Sequence, residues 1–217
     1  MDFKKVVQAR HSVRDFSDKK VSPQTIKNIV QLAQQAPSWV NSQPWKVYVA
    51  QGQSLQAIKT KFLENETAGK KADPDFPTLH REDWSEETQA NMKQWRHEIV
   101  HYFENFDEAH ATMTAASDAL NYAPTILYLT IPKNSSAWSV FDLGAFAQTL
   151  MLAAKDQGLD TIPTYNSVRY PAAVRNALQI PDDETLAVGI SLGYAKDTHI
   201  NGFRSKRVDV DDILKFN

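Results

Sequence analysis

The stretch "VFDLGAFAQTLMLAAKDQG" (140–158) constrains this chain more than any other. It predicts a helix that is apolar on nearly every face and is stopped by Gly158. A helix of that kind is buried all round, either inside a core or across a subunit interface. The rest of the chain must therefore wrap it. With 217 residues and 42% apolar content, there is enough material for that.

The wrapping elements can be read in order. Residues 2–9 form a short helix. Ser22 caps a second helix with Pro23 at its first position, and Ile26, Ile29, Val30 and Ala33 follow at helical spacing. "PSWVNSQP" breaks that helix, after which Trp45, Val47 and Val49 alternate as a strand. Ser54 caps a helix carrying Leu55, Ile58 and Phe62, and residues 66–84 are polar and irregular, as in a long loop or lid. From Ser85 a long helix carries Met92, Trp95, Ile99, Tyr102, Phe103 and Phe106 on one stripe. "PTILYLTI" (124–131) is a buried strand, "TIPTY" is short and extended, "PAAVRNAL" is a helix begun by Pro171, and "ETLAVGISLGYA" is a strand. Helices with scattered strands, lacking regular βαβ alternation, predict an α+β fold. We expect one domain over 1–217, with 66–110 as a lid or insertion.

Charge and composition remove several functions. A net charge of −2 creates no field that recruits nucleic acid or an anionic membrane. The absence of cysteine excludes disulfides, thiolate nucleophiles and cysteine metal sites. "MDFKKVVQAR" lacks an apolar signal core, and no apolar run approaches a membrane span. The expectation is a soluble, cytoplasmic protein.

Two short motifs suggest hydrolases. "HEIVH" (97–101) matches the zinc-protease pattern. However, His97 and His101 each lie two residues past a member of the apolar stripe, about 200° around the axis. That puts them on the face opposite the buried one, beside Gln94 and Glu98. The positions where a third ligand would follow hold Glu104 and Asp107, so no metal site is expected. "GISLG" (189–193) matches a nucleophile elbow, but no helix follows Ser191, and Asp197 and His199 are too close in sequence to serve as independent triad members. Ser191 reads instead as a strand residue between glycines that permit close packing.

Only seven glycines are present, with no G-x-G-x-x-G and no G-x-x-x-x-G-K. A nucleotide would have to be gripped by side chains. "ARHSVRDF" offers such a grip. In an extended segment Arg10, Ser12 and Arg14 share one side, with the two arginine backbones about 13 Å apart. Two guanidiniums and a hydroxyl can converge on one dianion; a solvated basic turn is the plainer alternative. A second basic knot, "FRSKR" with Arg204, Lys206 and Arg207, follows the last strand. Between the knots, Ser38, Asn41, Ser42 and Gln43 lie on an irregular segment rimmed by Trp39 and Trp45, which suits a planar heterocycle with polar edges.

Taken together and in this order, "RHSVRDF", "APSWVNSQPWKVYVA" (36–50), "DLGAFAQTLMLAAKDQGLDTIPTY" (142–165) and "NGFRSKR" (201–207) resemble the FMN-dependent nitroreductase family. The resemblance spans most of the chain except roughly 60–120. It implies a mixed sheet flanked by helices in an intertwined homodimer, with FMN at the subunit interface. Arg10, His11, Ser12 and Arg14 would hold phosphate and ribityl oxygens, and Arg204 with either Lys206 or Arg207 would close the phosphate. Pro37, Ser38, Trp39 and Asn41, with Gln43 a weaker candidate, would approach the flavin from the partner subunit. Gln148 would reach the ribityl chain. Pro163, Thr164, Tyr165 and Asn166 would lie along the isoalloxazine, with a backbone N–H near its N5. Where many members carry an acidic residue and a glycine after that proline, this chain has Thr164, Tyr165 and Asn166, and Tyr165 would narrow the substrate slot.

The implied activity is ping-pong reduction of a nitroaromatic or quinone by NADH or NADPH, with the chemistry at flavin N5, catalytic side chains unassigned, and protons from water or a flavin N–H. Arg14 or Asn41 would stabilise the reduced flavin. The alternatives are a protein that holds FMN without turning it over, its flavin covered by 66–84, and a zinc hydrolase at "HEIVH".

Overall fold

A computed structural model describes residues 2–216 of the chain. Its elements are α1 (Phe3–Ala9), α2 (Pro23–Ala33), β1 (Lys46–Gln51), α3 (Gly52–Thr67), α4 (Glu86–Tyr102), α5 (Phe106–Asp118), β2 (Thr125–Pro132), α6 (Ala137–Asp156), β3 (Asp160–Thr164), α7 (Pro171–Leu178), β4 (Glu184–Gly193), α8 (His199–Gly202) and α9 (Val210–Ile213). They divide into two compact units. One holds Met1–Pro77 and Ala116–Asn201, the other Thr78–Ala115 and Gly202–Asn217. The segment expected to be a lid or insertion is thus split at Pro77.

The first unit is built on one sheet in the order β1-β2-β4-β3. All three strand pairs are antiparallel, and the mixed character expected of the sheet comes down to one isolated parallel bridge, Ser12 to Thr161. β2 is buried on both faces, which explains its uninterrupted apolar sequence. Leu127, Leu129 and Ile131 face a core shared with α2 and α6. Ile126 and Tyr128 face a second core shared with α3 and α7. Trp45 stacks on Phe146 of α6 at 4.7 Å.

Within the single chain α6 is buried on one side only. Leu143, Phe146, Leu150 and Ala154 are in the core, but Trp138 and Phe141 are 57% and 68% exposed. The helix is 20 residues long with a mean hydropathy of 1.2 over its most apolar window, so it does reach the length of a membrane span. Its packing against α2 and the sheet, and the buried carboxylate of Asp142, make it a core helix.

Glu66 and Thr67 still belong to α3; residues 68–77 are irregular, as expected of a loop, but they are strapped down. Tyr170 Oη donates to Glu66 Oε1 at 2.6 Å and lies 3.0 Å from Lys70 O, and Asp75 accepts from Arg175 and from Leu186 N.

At the far end of the sheet Glu184 is buried among donors. Thr130 Oγ1 reaches it at 2.6 Å, Tyr48 Oη at 3.0 Å, and Lys46 pairs with it. Desolvation pushes this carboxyl up, but the hydrogen bonds from Lys46, Thr130 and Tyr48 outweigh it and the net shift is downward. A depressed carboxyl stabilises the fold above its unfolded pKa and loses that contribution as pH falls through the folded value. Wild-type melting temperature should therefore drop between about pH 5 and pH 3, and Glu184→Gln should flatten that drop in a thermal-melt series. An unchanged acid limb would place the sensitivity elsewhere.

In the second unit the stripe expected to run on to Phe106 is cut short. Phe103 N–H closes on Val100 O, ending α4. Asn105 and Glu108 then cap α5 reciprocally, with Asn105 Oδ1 accepting from Glu108 N at 2.9 Å and Glu108 Oε2 accepting from Glu104 N at 3.0 Å. Phe106 opens the new helix 60% exposed, against His110.

Candidate active site

The "ARHSVRDF" segment runs along the free edge of β3. Ser12 bridges to Thr161, and Val13 N donates to Thr161 O at 3.3 Å. This bridge sets the segment beside Thr161, two residues before Pro163. Alternation sorts the side chains as the sequence predicts: Val13 is fully buried, with Ile162, in the core under the sheet. Ser12 and Arg14 take the other side. One bridge thus brings the basic segment to the Pro163–Asn166 stretch, from which some 150 residues separate it.

The backbone of this segment is clamped by Asn201. Its Oδ1 accepts from Arg14 N at 2.8 Å and from Asp15 N at 3.2 Å, while its Nδ2 donates to Asp15 O at 2.7 Å and to Lys196 O at 3.0 Å. His11 tethers the same place, with Nδ1 3.0 Å from Ala9 O and Nε2 3.2 Å from Asn201 O. Arg10 ends α1, its N–H on Val6 O at 3.0 Å. Arg14 is half-buried, and its guanidinium donates to Ser12 O at 3.1 Å. Among the described residues it forms no ion pair, and desolvation pulls its pKa down. The Ser12 hydroxyl likewise has no protein partner among the described residues. A desolvated, unneutralised guanidinium beside an open hydroxyl is a donor set for an anion with several oxygens.

The neighbouring stretch 163–167 is held rigidly. Ser167 Oγ donates to Thr164 O at 2.6 Å, and Asn166 Nδ2 donates to Ser117 Oγ. The amide of Asn166 is therefore engaged inside the protein. Thr164 Oγ1 is buried with no protein partner, and Tyr165 is 40% exposed. Gly189 lies directly beneath: a Cβ there would sit 2.4 Å from Ser167 Oγ. Ser191 is a buried strand residue between the glycines, as expected from its sequence.

Other expected site residues lie elsewhere on the first unit. Pro37, Ser38, Trp39, Asn41 and Gln43 occupy a loop at the start of α6, where Trp39 N donates to the buried Asp142 Oδ2 at 3.0 Å and its ring stacks on Trp138 at 5.3 Å. Ser38 Oγ accepts from Gln43 N at 3.0 Å. Val40, Asn41 and Gln43 all have positive φ, and no hydrogen bond among the described residues ties this loop to Ser12 or Arg14. Gln148 is exposed on α6.

Arg204, Lys206 and Arg207 belong to the second unit. Arg204 Nη1 donates to Phe203 O at 3.0 Å, and Lys206 Nζ lies 3.7 Å from Glu98. Arg207 curls back on Ser205, with Nη1 at 2.8 Å from its Oγ.

A model of the nitroreductase family matches residues 7–194. The chain belongs to the nitroreductase family. It is 32% identical over 214 residues to the 4-nitrobenzoate reductase of Pseudomonas putida, an alignment covering 95% of this chain and 91% of that one. The FMN-dependent nitroreductase NfnB of Mycobacterium smegmatis, solved in complex with NADPH, has a TM-score of 0.89 at 27% identity, covering 99% of this chain and 97% of that one. An NfnB from a strain named sphigopyxis sp. HMH shares the fold, with a TM-score of 0.91 at 23% identity over 100% of this chain and 99% of that one.

In this nitroreductase the two histidines of "HEIVH" are exposed and stacked at 3.9 Å, and among the described residues no three His, Cys, Asp or Glu side chains converge as a metal site. Glu98 is not on their face. Its side chain is 13% exposed and turns to Lys206, which corrects its expected place in solvent. Sequence reasoning also missed Asn201. "NG" signals only a turn, and nothing in it indicates that the amide clamps a segment 187 residues earlier.

Proposed function

We propose that this chain is an FMN-dependent NAD(P)H oxidoreductase that reduces nitroaromatics or quinones and works as a homodimer. One observation carries the reading: Arg14, a desolvated guanidinium that no carboxylate among the described residues neutralises, beside a Ser12 hydroxyl that has no protein partner among them. A phosphate ester fits that donor set in charge and in oxygen count. The relatives' activities, 4-nitrobenzoate reduction and FMN- and NADPH-dependent nitroreduction, point the same way.

Bound FMN supplies the redox chemistry, accepting two electrons from a reduced nicotinamide and passing them to an electron-poor acceptor. The chain's own part is to bind, orient and exclude. Arg10, His11, Ser12 and Arg14 hold the phosphate and ribityl oxygens, joined by Arg204 and one of Lys206 or Arg207. Gln148 hydrogen-bonds the ribityl hydroxyls. The rigid Pro163–Asn166 stretch lines the ring, and Tyr165 narrows the acceptor slot. Pro37, Ser38, Trp39 and Asn41 come from the second copy. Support for that copy is the uncovered start of α6, where Trp39, Val40, Trp138 and Phe141 are all more than half exposed. A contiguous aromatic patch of this kind marks an association surface. The cysteine-free composition suits a reducing, cytoplasmic setting.

Purified protein should be yellow, sediment as two chains, and bleach anaerobically with NADPH or NADH. Colourless protein would overturn the assignment. Flavin that is retained but never bleaches would make it an FMN-holding protein instead.

A further inference from the structure

The second unit carries a partly buried carboxylate that the proposed function leaves unused. Glu98 lies on α4 three residues after Trp95 and four before Tyr102, so the three share one helix face. Along that face runs the C-terminal basic segment. Phe203 packs edge-on to Tyr102 with ring centroids 5.5 Å apart. The Tyr102 hydroxyl lies 2.3 Å from where a Cβ on residue 202 would be, so a larger residue there would have to displace the Tyr102 ring tip. Further along, Trp95, Asn91, Lys206 and Val208 line one groove of about 360 Å³.

Glu98 sits midway in this contact and is fully engaged. Its Oε1 accepts from Gln94 Nε2 at 3.0 Å and lies 3.7 Å from Lys206 Nζ, while its Oε2 accepts from the Lys206 backbone N–H at 3.3 Å. The Lys206 side chain is 80% exposed, so the ammonium is held loosely and the backbone contact is the fixed one. The Gln94 hydrogen bond and the contacts from Lys206 keep the carboxyl below its ordinary range.

Resting on the assignment of Arg204 and its neighbours to a cofactor phosphate, we propose that Glu98 is a positioning residue for that grip. It pins the backbone of the 204–207 segment at Lys206 and so sets where these cations can reach. This gives the glutamate of "HEIVH" a role unrelated to metal. Because Glu98 acts through the backbone, its charge is dispensable while its acceptor oxygen is not. The carboxylate also draws Lys206 towards itself and away from any phosphate.

Riboflavin separates positioning from general structure, since it carries the same ring and ribityl chain without the phosphate. Dissociation constants for FMN and riboflavin would be measured by flavin fluorescence quenching on apo wild type, Glu98→Ala and Glu98→Gln. Glu98→Ala should weaken FMN about tenfold, the loss of one charge-assisted hydrogen bond, and leave riboflavin within about twofold. Glu98→Gln keeps an acceptor for Lys206 N–H and should bind FMN at least as well as wild type. A Glu98→Ala chain that loses both flavins alike, or neither, overturns the proposal, as does a Glu98→Gln chain as weak as Glu98→Ala. A wild type that binds FMN no better than riboflavin would overturn the phosphate assignment itself, and this proposal with it. Preference in the wild type that survives in Glu98→Ala would sink only the role of Glu98.

Discussion

Arg14→Ala is expected to raise the FMN dissociation constant by about 10- to 100-fold, the value of a charge-assisted contact to a charged partner. Flavin-free protein should melt within about 2 °C of wild type, because the guanidinium makes one side-chain hydrogen bond, to Ser12 O, and is desolvated without an ion pair. Its backbone is fixed independently by Asn201. Arg14→Lys should fall between the two, retaining charge but losing the planar fork. Fluorescence titration and a thermal melt of the apo protein check the pair of expectations. Equal losses in both measurements would make Arg14 a structural residue and remove the main support for the cofactor assignment.

Gly189→Ala is expected to destabilise the first unit by about 2–3 kcal/mol, the range for overfilling a packed site, which is about 4–12 °C in melting temperature for a chain of this size. The added methyl would meet Ser167 Oγ at 2.4 Å and Ser167 Cβ at 2.7 Å, with Tyr128 Cε1 at 3.0 Å behind. Ser167 cannot retreat freely, since its hydroxyl fastens Thr164 O at 2.6 Å. The strain should therefore pass into the Pro163–Asn166 stretch and lower flavin affinity as well as stability. Placing Ser167→Gly in the same chain removes both close atoms and should recover part of the melting temperature. A single variant as stable as wild type would show that Ser167 has room to move.

Much of the fold was legible because burial imposes a period. The double-sided burial of β2 left an uninterrupted apolar run, Ser22 and Pro23 marked the start of α2, and α6 announced itself by lacking a polar face. Where the local signal was ambiguous, tertiary partners decided. The stripe carried on to Phe106 because Glu104 and Asn105 resemble surface positions of one helix, whereas they cap the next. Glu98 was put with its histidine neighbours although its spacing from Trp95 and Tyr102 was visible. The candidate site was legible as a set of residue types, but not as an arrangement. Which of them share the β3 edge is fixed by the pairing of Ser12 with Thr161 and by the Asn201 clamp, and no sequence period encodes contacts between segments so far apart.

The meeting of Ser12 with Thr161 through a lone bridge has a bearing on how the molecule matures. That bridge closes a loop of about 150 residues, longer than the loop closed by any strand pair of the sheet, and loop-closure entropy grows with length. This edge of the sheet should thus be its last region to set during folding and its first to loosen on warming. Any ligand seated across that seam acts as a latch, so starvation for flavin would leave a chain with a sound interior and an unfastened entrance.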